Sequence, residues 1–138
     1  MYVYQKLTSP SLALNAHLDA TKNGDVALLR KAFASNSRFV GTDDTEVWSI
    51  SKLTELLQSS NGEGWEMRLV SERNFIPVSL SAVSFLEFVN HKQFGPMRGS
   101  GVVIRDNSGE WRILDYILSF SVPNKVVDES IFIDLIKN

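Results

Sequence analysis

FGPMRGSGVVIRDNSGEWRILDYILSFSVPN, residues 94–124, decides the reading of this chain. Apolar and polar residues alternate through two runs, as in two antiparallel strands, and Pro123-Asn124 stops the second. One face of this hairpin gathers Arg98, Ser100, Asp115 and Ser119 among apolar neighbours. Polar groups on a face that should be buried point to the lining of a cavity.

With Asp106-Asn107-Ser108-Gly109 as the loop, Arg105 faces Glu110, Ser100 lies opposite Asp115, Arg98 opposite Ile117, and Val102 opposite Ile113. Alternation then places Arg98, Ser100, Val102, Ile104, Trp111, Ile113, Asp115, Ile117 and Ser119 on one face. Arg98 and Asp115 become diagonal neighbours within reach of a long side chain. Gly99 and Gly101 fall on the other face, opposite Tyr116 and Leu114. A ring over a strand glycine restores lost packing, and glycine permits strong curvature.

Working outward, helices precede the strands. Ser9-Pro10 pairs a hydroxyl cap with a proline that needs no N–H, and Leu14 and Leu18 share a face before Asn23-Gly24 ends the helix. A second helix starts near Asp25, with Leu28, Leu29, Ala32 and Phe33 at helical spacing. A short strand, Arg38-Phe39-Val40, runs into GTDDTEVW. Ser49 caps a third helix bearing Leu53, Leu56 and Leu57, with Trp48 and Leu53 at the positions of a hydrophobic staple. Asn61-Gly62-Glu63-Gly64 breaks it. Strands are expected over residues 65–75, 82–91, 97–105 and 111–121, with Pro77 and Gly95-Pro96 separating the first three. A last short helix lies within residues 128–137 and contains Ile131, Leu135 and Ile136. Helices followed by a meandering sheet define an α+β fold, curved and closed by the N-terminal helices, in a single domain over residues 1–138.

Composition narrows the function. A chain of 138 residues can bury a core without staples. Its net charge of −2 and the lack of any Lys/Arg cluster argue against nucleic acid. The absence of cysteine excludes disulfides, thiolate metal sites and thiol nucleophiles. The N-terminal stretch lacks a signal-peptide pattern and no apolar run reaches membrane-spanning length, so a cytoplasmic protein is expected.

GTDDTEVW, RGSGVVIR and EWRILDYILSFSVPN, in this order and spacing, resemble the SnoaL-like branch of the nuclear transport factor 2-like superfamily. The resemblance implies a cone-shaped α+β fold, its strongly curved antiparallel or mixed sheet packed around the N-terminal helices and a pocket. It also implies a homodimer formed through the sheet. The superfamily spans isomerases, dehydratases, polyketide cyclases, hydrolases and members that only bind, so fold transfers better than activity. Glu87 in FLEFV matches a recurrent acidic position of the family, Arg98 the arginine of its RGSG segment, and Ser119 a serine near the end of its last strand. Many relatives carry histidine where this chain has Ile117, and glutamine or histidine where it has Asp115. The tyrosine-and-two-aspartates arrangement of the ketosteroid isomerases has no clear match.

The ligand-binding candidates are thus Trp65, Glu87, Arg98, Ser100, Asp115, Ile117 and Ser119, with Glu87 and Asp115 as weak catalytic candidates. Arg98 and Asp115 read equally as an ion pair fixing the hairpin; a nearby cation would keep that carboxylate a poor base. Glu87, between Phe85 and Val89, is the better acid–base candidate if buried without a partner. Asp43, Asp44 and Glu46 lack the glycine and distal glutamate of a calcium loop and read as turn and capping groups. No metal or cofactor is expected. Trp65 reads equally as pocket mouth or core, and Trp111 as core. His17 and His91 read as surface or core-edge residues.

Three functions stay open. The first is a domain that binds a small hydrophobic or anionic molecule, Arg98 offering a fork to a carboxylate. The second is a proton-transfer enzyme of isomerase, cyclase or dehydratase type, with Glu87 or Asp115 as base. The third is a dimerisation or partner-binding module whose vestigial pocket is filled by Trp65, Ile113 and Ile117. Strands such as VSFLEFV, apolar on both faces, suit a sheet covered by helices on one side and a partner subunit on the other.

Overall fold

Three capped helices form one side of the molecule. The computed structural model describes residues 4–137, with the side chains of residues 130–132 outside the description. Ser9 Oγ accepts from the Leu12 N–H at 3.2 Å to start α1, Pro10–Asn23, and Gly24 ends it at φ 64°. The Asp25 carboxylate caps α2, Val26–Ala32, and Ser49 caps α3, Ile50–Ser60. Leu14, Leu29, Leu53 and Leu57 are wholly buried in one core.

Seven strands follow or intervene: β1 Phe33–Val40, β2 Val47–Ser49, β3 Met67–Leu69, β4 Asn74–Ser79, β5 Ala82–His91, β6 Gly95–Arg105 and β7 Trp111–Phe120. They form an open mixed sheet in the order β2-β1-β7-β6-β5-β3, with β4 beside β3 on β5. Only the β1–β7 pair is parallel. The α+β class is as expected. α1 touches β3, β6 and β7 alike, so the sheet curves around this helix. Short helices α4, Asn124–Val127, and α5, Ser130–Lys137, end the described chain; Ile131 of the expected last helix lies outside the described side chains. No helix among the described residues is long and apolar enough to cross a membrane.

The hairpin register departs from expectation twice. Arg105 faces Trp111 rather than Glu110, because the connection holds one residue more than the expected loop. Asp106 organises that longer loop, its carboxylate accepting from the Ser108 and Glu110 N–H groups and the Ser108 hydroxyl. A bulge between Val102 and Val103 then adds a second slip, so Val102 faces Asp115, Ser100 faces Ile117 and Arg98 faces Ser119.

The slip decides which face is inside. Val103, Ile113, Tyr116, Gly99 and Met97 turn toward the helices, while Arg98, Ser100, Val102, Asp115, Ile117 and Ser119 lie on the outer face. The polar-spotted face expected to line a cavity therefore looks away from the helices. The glycines explain why. A Cβ at Gly99 would overlap the Tyr116 hydroxyl, so the glycine face is the one that must admit a large ring.

The other departures are local. The strand expected over residues 65–75 is interrupted: Leu69 pairs with Val89 and Asn74 with Leu86, so residues 70–73 exceed what β5 can oppose. Pro77 sits inside β4 rather than ending a strand, tolerated because β4 pairs only with β5 and its other edge needs no N–H. Gly95 and Pro96 open β6 instead of separating strands, and β1 extends back from Arg38 to Phe33.

Candidate functional site

Alternation along β5 sends Glu87 inward between Phe85 and Val89, and the side chain is 0 % exposed. A carboxylate there needs partners, since an isolated buried charge is very costly. It has two. Arg73 donates from Nε to Glu87 Oε1 at 2.8 Å, and the Tyr116 hydroxyl donates to Oε2 at 2.6 Å. Arg73 reaches inward from the irregular segment between β3 and β4, with its side chain 5 % exposed. Burial, and next the adjacent Glu87 charge, raises the Tyr116 phenol well above its ordinary pKa.

His17, from the middle of α1, lies edge-on against Tyr116 with ring centroids 4.6 Å apart, and also against Phe33 and Phe39. It is fully buried, and neither ring nitrogen has a hydrogen-bond partner. Burial first, and the Arg73 charge second, bring its pKa down to about 3. The imidazole is therefore neutral at physiological pH. Beyond it the rings of Tyr116, Phe39 and Trp48 stack in series, at 5.4 and 6.0 Å.

A cavity of about 220 Å³ opens beside this stack. Its walls come from α1 (His17, Thr21), from β1, β2 and their connection (Phe39, Gly41, Thr42, Glu46, Trp48), and from the segment after α3 (Gly64, Trp65). The sheet adds Met67, His91, Met97 and Leu118, and the β5–β6 turn adds Phe94. His91 Nδ1 accepts the Gln93 and Phe94 N–H groups, so its proton sits on Nε2.

Of the ligand-binding candidates named from the sequence, Trp65 lines this cavity and Glu87 lies behind it. Arg98, Ser100, Asp115, Ile117 and Ser119 are on the opposite face of the sheet and do not meet either of them. The expected Arg98–Asp115 pair does not form. Asp115 is instead directly opposite Arg38 across the parallel β1–β7 pair, which holds it through two hydrogen bonds of 2.8 Å. Glu87, the better acid–base candidate only if buried without a partner, has both an arginine and a phenol. His17 is neither surface nor core-edge but fully buried, and Trp48 stacks on Phe39 at the cavity wall. Trp111 is half-buried against the core.

Arg73 was missed outright. The sequence reads as one strand through residues 65–75, and only the strand break turns this arginine inward. Tyr116 had a signal, its expected place opposite Gly99, but packing alone was read from it; in the structure it faces Gly101. At the acidic turn Asp43 accepts from the Thr45 N–H and hydroxyl, and Glu46 Oε1 from the Asp43 N–H. Among the described residues no cluster of three or more His, Asp or Glu could hold a metal ion.

Comparison with known proteins places this geometry. The family model described as a SnoaL-like domain matches residues 12–123. A nuclear transport factor 2-like superfamily protein from Salmonella enterica is similar in structure at TM-score 0.65 and 16 % identity, covering 85 % of this chain and 92 % of that one. A ketosteroid isomerase-like protein from Erwinia carotovora is similar at TM-score 0.65 and 15 % identity, over 88 % of this chain and 100 % of that one. A domain of unknown function with a cystatin-like fold from Nostoc punctiforme reaches TM-score 0.69 at 14 % identity, over 91 % and 81 %. At these identities the likeness is one of fold. No curated protein sequence matches the chain.

Proposed function

The chain belongs to the SnoaL-like domain family of the nuclear transport factor 2-like superfamily, and from that premise we propose that it binds a small, largely apolar molecule in the cavity beside His17. One observation carries this reading. Aromatic and methionine side chains wall the cavity, while the strong polar groups behind it are already engaged with one another. A pocket with apolar walls and few polar groups is the common form of a ligand site.

Proton transfer is less well supported. Glu87 is committed to Arg73 and Tyr116, and Asp115 sits on the outer face with Arg38. His17 lines the cavity with neither ring nitrogen bonded, and a pKa of about 3 makes it a weak base. General bases work best with a pKa near the working pH. The vestigial-pocket reading asked for Trp65, Ile113 and Ile117 to fill the space. Ile113 is instead core and Ile117 faces outward.

Thermal shift and tryptophan fluorescence against neutral aromatics, steroids, polyketides and small hydrophobic acids test the proposal, since Trp48 and Trp65 line the cavity and Trp111 does not. A ligand that raises the melting temperature and changes the fluorescence supports it, by linkage. In a folded Leu118→Trp variant, which fills the cavity, both responses should vanish. Binding that survives Leu118→Trp would overturn it, while turnover of a bound compound would bring back the proton-transfer reading.

The same reading includes a homodimer formed through the outer face of the sheet. Phe88 is 36 % exposed there, and Ile117 and Ile104 are half-buried. Sedimentation should find a dimer that Phe88→Lys converts to monomer; a monomeric wild type rejects it.

A further inference from the structure

The charge on the cavity wall has one sign. Among the residues lining it are no lysine and no arginine, and Glu46 contributes a carboxylate. The cationic fork expected for an anionic ligand, Arg98, is exposed on the far face of the sheet. Arg73 is buried behind the wall and neutralised by Glu87, and His17 is held uncharged.

The carboxylate is built into its place. A Cβ at Gly41 would come within 2.8 Å of the Glu46 Cβ and 3.0 Å of its carboxyl group, so the glycine leaves the space that the Glu46 side chain occupies. The Asp43 N–H holds Oε1 at 2.9 Å. The other oxygen takes no hydrogen bond from any described residue. Across the same cavity stand the indoles of Trp48 and Trp65 and the ring of Phe94, while Phe39 has its faces covered by Tyr116 and Trp48. The faces of such rings carry negative potential and attract a cation, tryptophan most strongly.

Aromatic walls, one carboxylate and no cationic side chain are the chemistry of organic-cation recognition. We infer that the ligand is a small amine or quaternary ammonium with an apolar body, its charge shared between Glu46 and the tryptophan faces. This rests on the binding function proposed above and narrows it to one charge class. A volume of about 220 Å³ is below the usual range for drug-sized ligands, so the molecule is compact.

Benzyltrimethylammonium, its neutral isostere neopentylbenzene and the anion 3-phenylpropionate separate the possibilities on the wild-type protein. The cation should bind on the order of tenfold more tightly than the isostere, with the anion weakest. Raising the salt concentration should weaken the cation alone. Glu46→Gln, which can keep the Asp43 hydrogen bond, should erase most of the cation's advantage and leave neopentylbenzene unchanged. Equal binding of cation and isostere, or preference for the anion, overturns the charge assignment and leaves the binding function standing. Failure of all three probes, together with failure of the broader ligand panel, overturns both. The wild-type comparison decides the matter even if Glu46→Gln does not fold.

Discussion

The two faces of the sheet each carry an arginine–carboxylate pair at 2.8 Å, and the pairs are not equivalent. Arg73 and Glu87 face inward, 5 % and 0 % exposed; Arg38 and Asp115 face outward, 55 % and 22 % exposed. The outer pair even makes two hydrogen bonds where the inner makes one, so surroundings and not contact geometry set the consequence. Inside, removal of one partner strands a charge away from water. Outside, solvent and salt take over the missing partner's role. A short, well-aligned ion pair therefore says little about stability until its burial is known.

Breaking the inner pair should have the largest effect. Glu87→Ala leaves Arg73 unpaired and should cost ~3–5 kcal/mol by urea unfolding. In a Tyr116→Phe background the double variant Arg73→Met/Glu87→Leu should recover most of that loss, because no buried polar group is then left without its partner. If the double variant is as unstable as Glu87→Ala, the pair is more than mutual neutralisation.

Next comes the histidine packed against the same Tyr116. The folded-state pKa of His17 lies below its ordinary value of 6.5, so folding favours the neutral ring. Between pH 6.5 and about 3 the unfolded chain binds a proton that the native state does not. Its contribution is complete above pH 6.5 and is lost as pH falls, by on the order of 4 kcal/mol across the window. His17→Phe should flatten that part of the stability–pH curve relative to wild type. An unchanged slope would mean that the imidazole titrates normally in the fold.

The outer pair should respond least. Asp115→Asn keeps the shape beside Arg38 and should shift stability by roughly 0–1 kcal/mol, less at high salt. A loss comparable to that of Glu87→Ala would show that this pair lies inside the proposed dimer contact rather than at its solvated rim, and would bring the two pairs together.

The contrast between the faces also marks where reading the sequence worked. The caps at Ser9, Asp25 and Ser49 and the helix stops at Gly24 and Asn61 were legible, because each depends on neighbours within one turn. Ala82–His91 appears with its expected bounds, since period-two alternation over ten residues admits one reading. Arg73 was invisible because its inward turn comes from a strand break with no glycine or proline to announce it. The Glu46 carboxylate was read as a turn group, which it is; its place on the cavity wall depends on the fold of β1, β2 and the segment after α3 around it.

Local patterning by itself determined the helices, the strand-rich second half and the α+β class, because capping and alternation are short-range properties of the chain. It also placed Arg98, Ser100, Asp115, Ile117 and Ser119 together on one face of β6 and β7. Which face met the helices was a tertiary decision. One extra loop residue and one bulge moved the register, and the space needed by Tyr116 over Gly99 put the glycine face inside. A side chain's neighbours across a sheet depend on the sum of such slips, and alternation leaves that sum open.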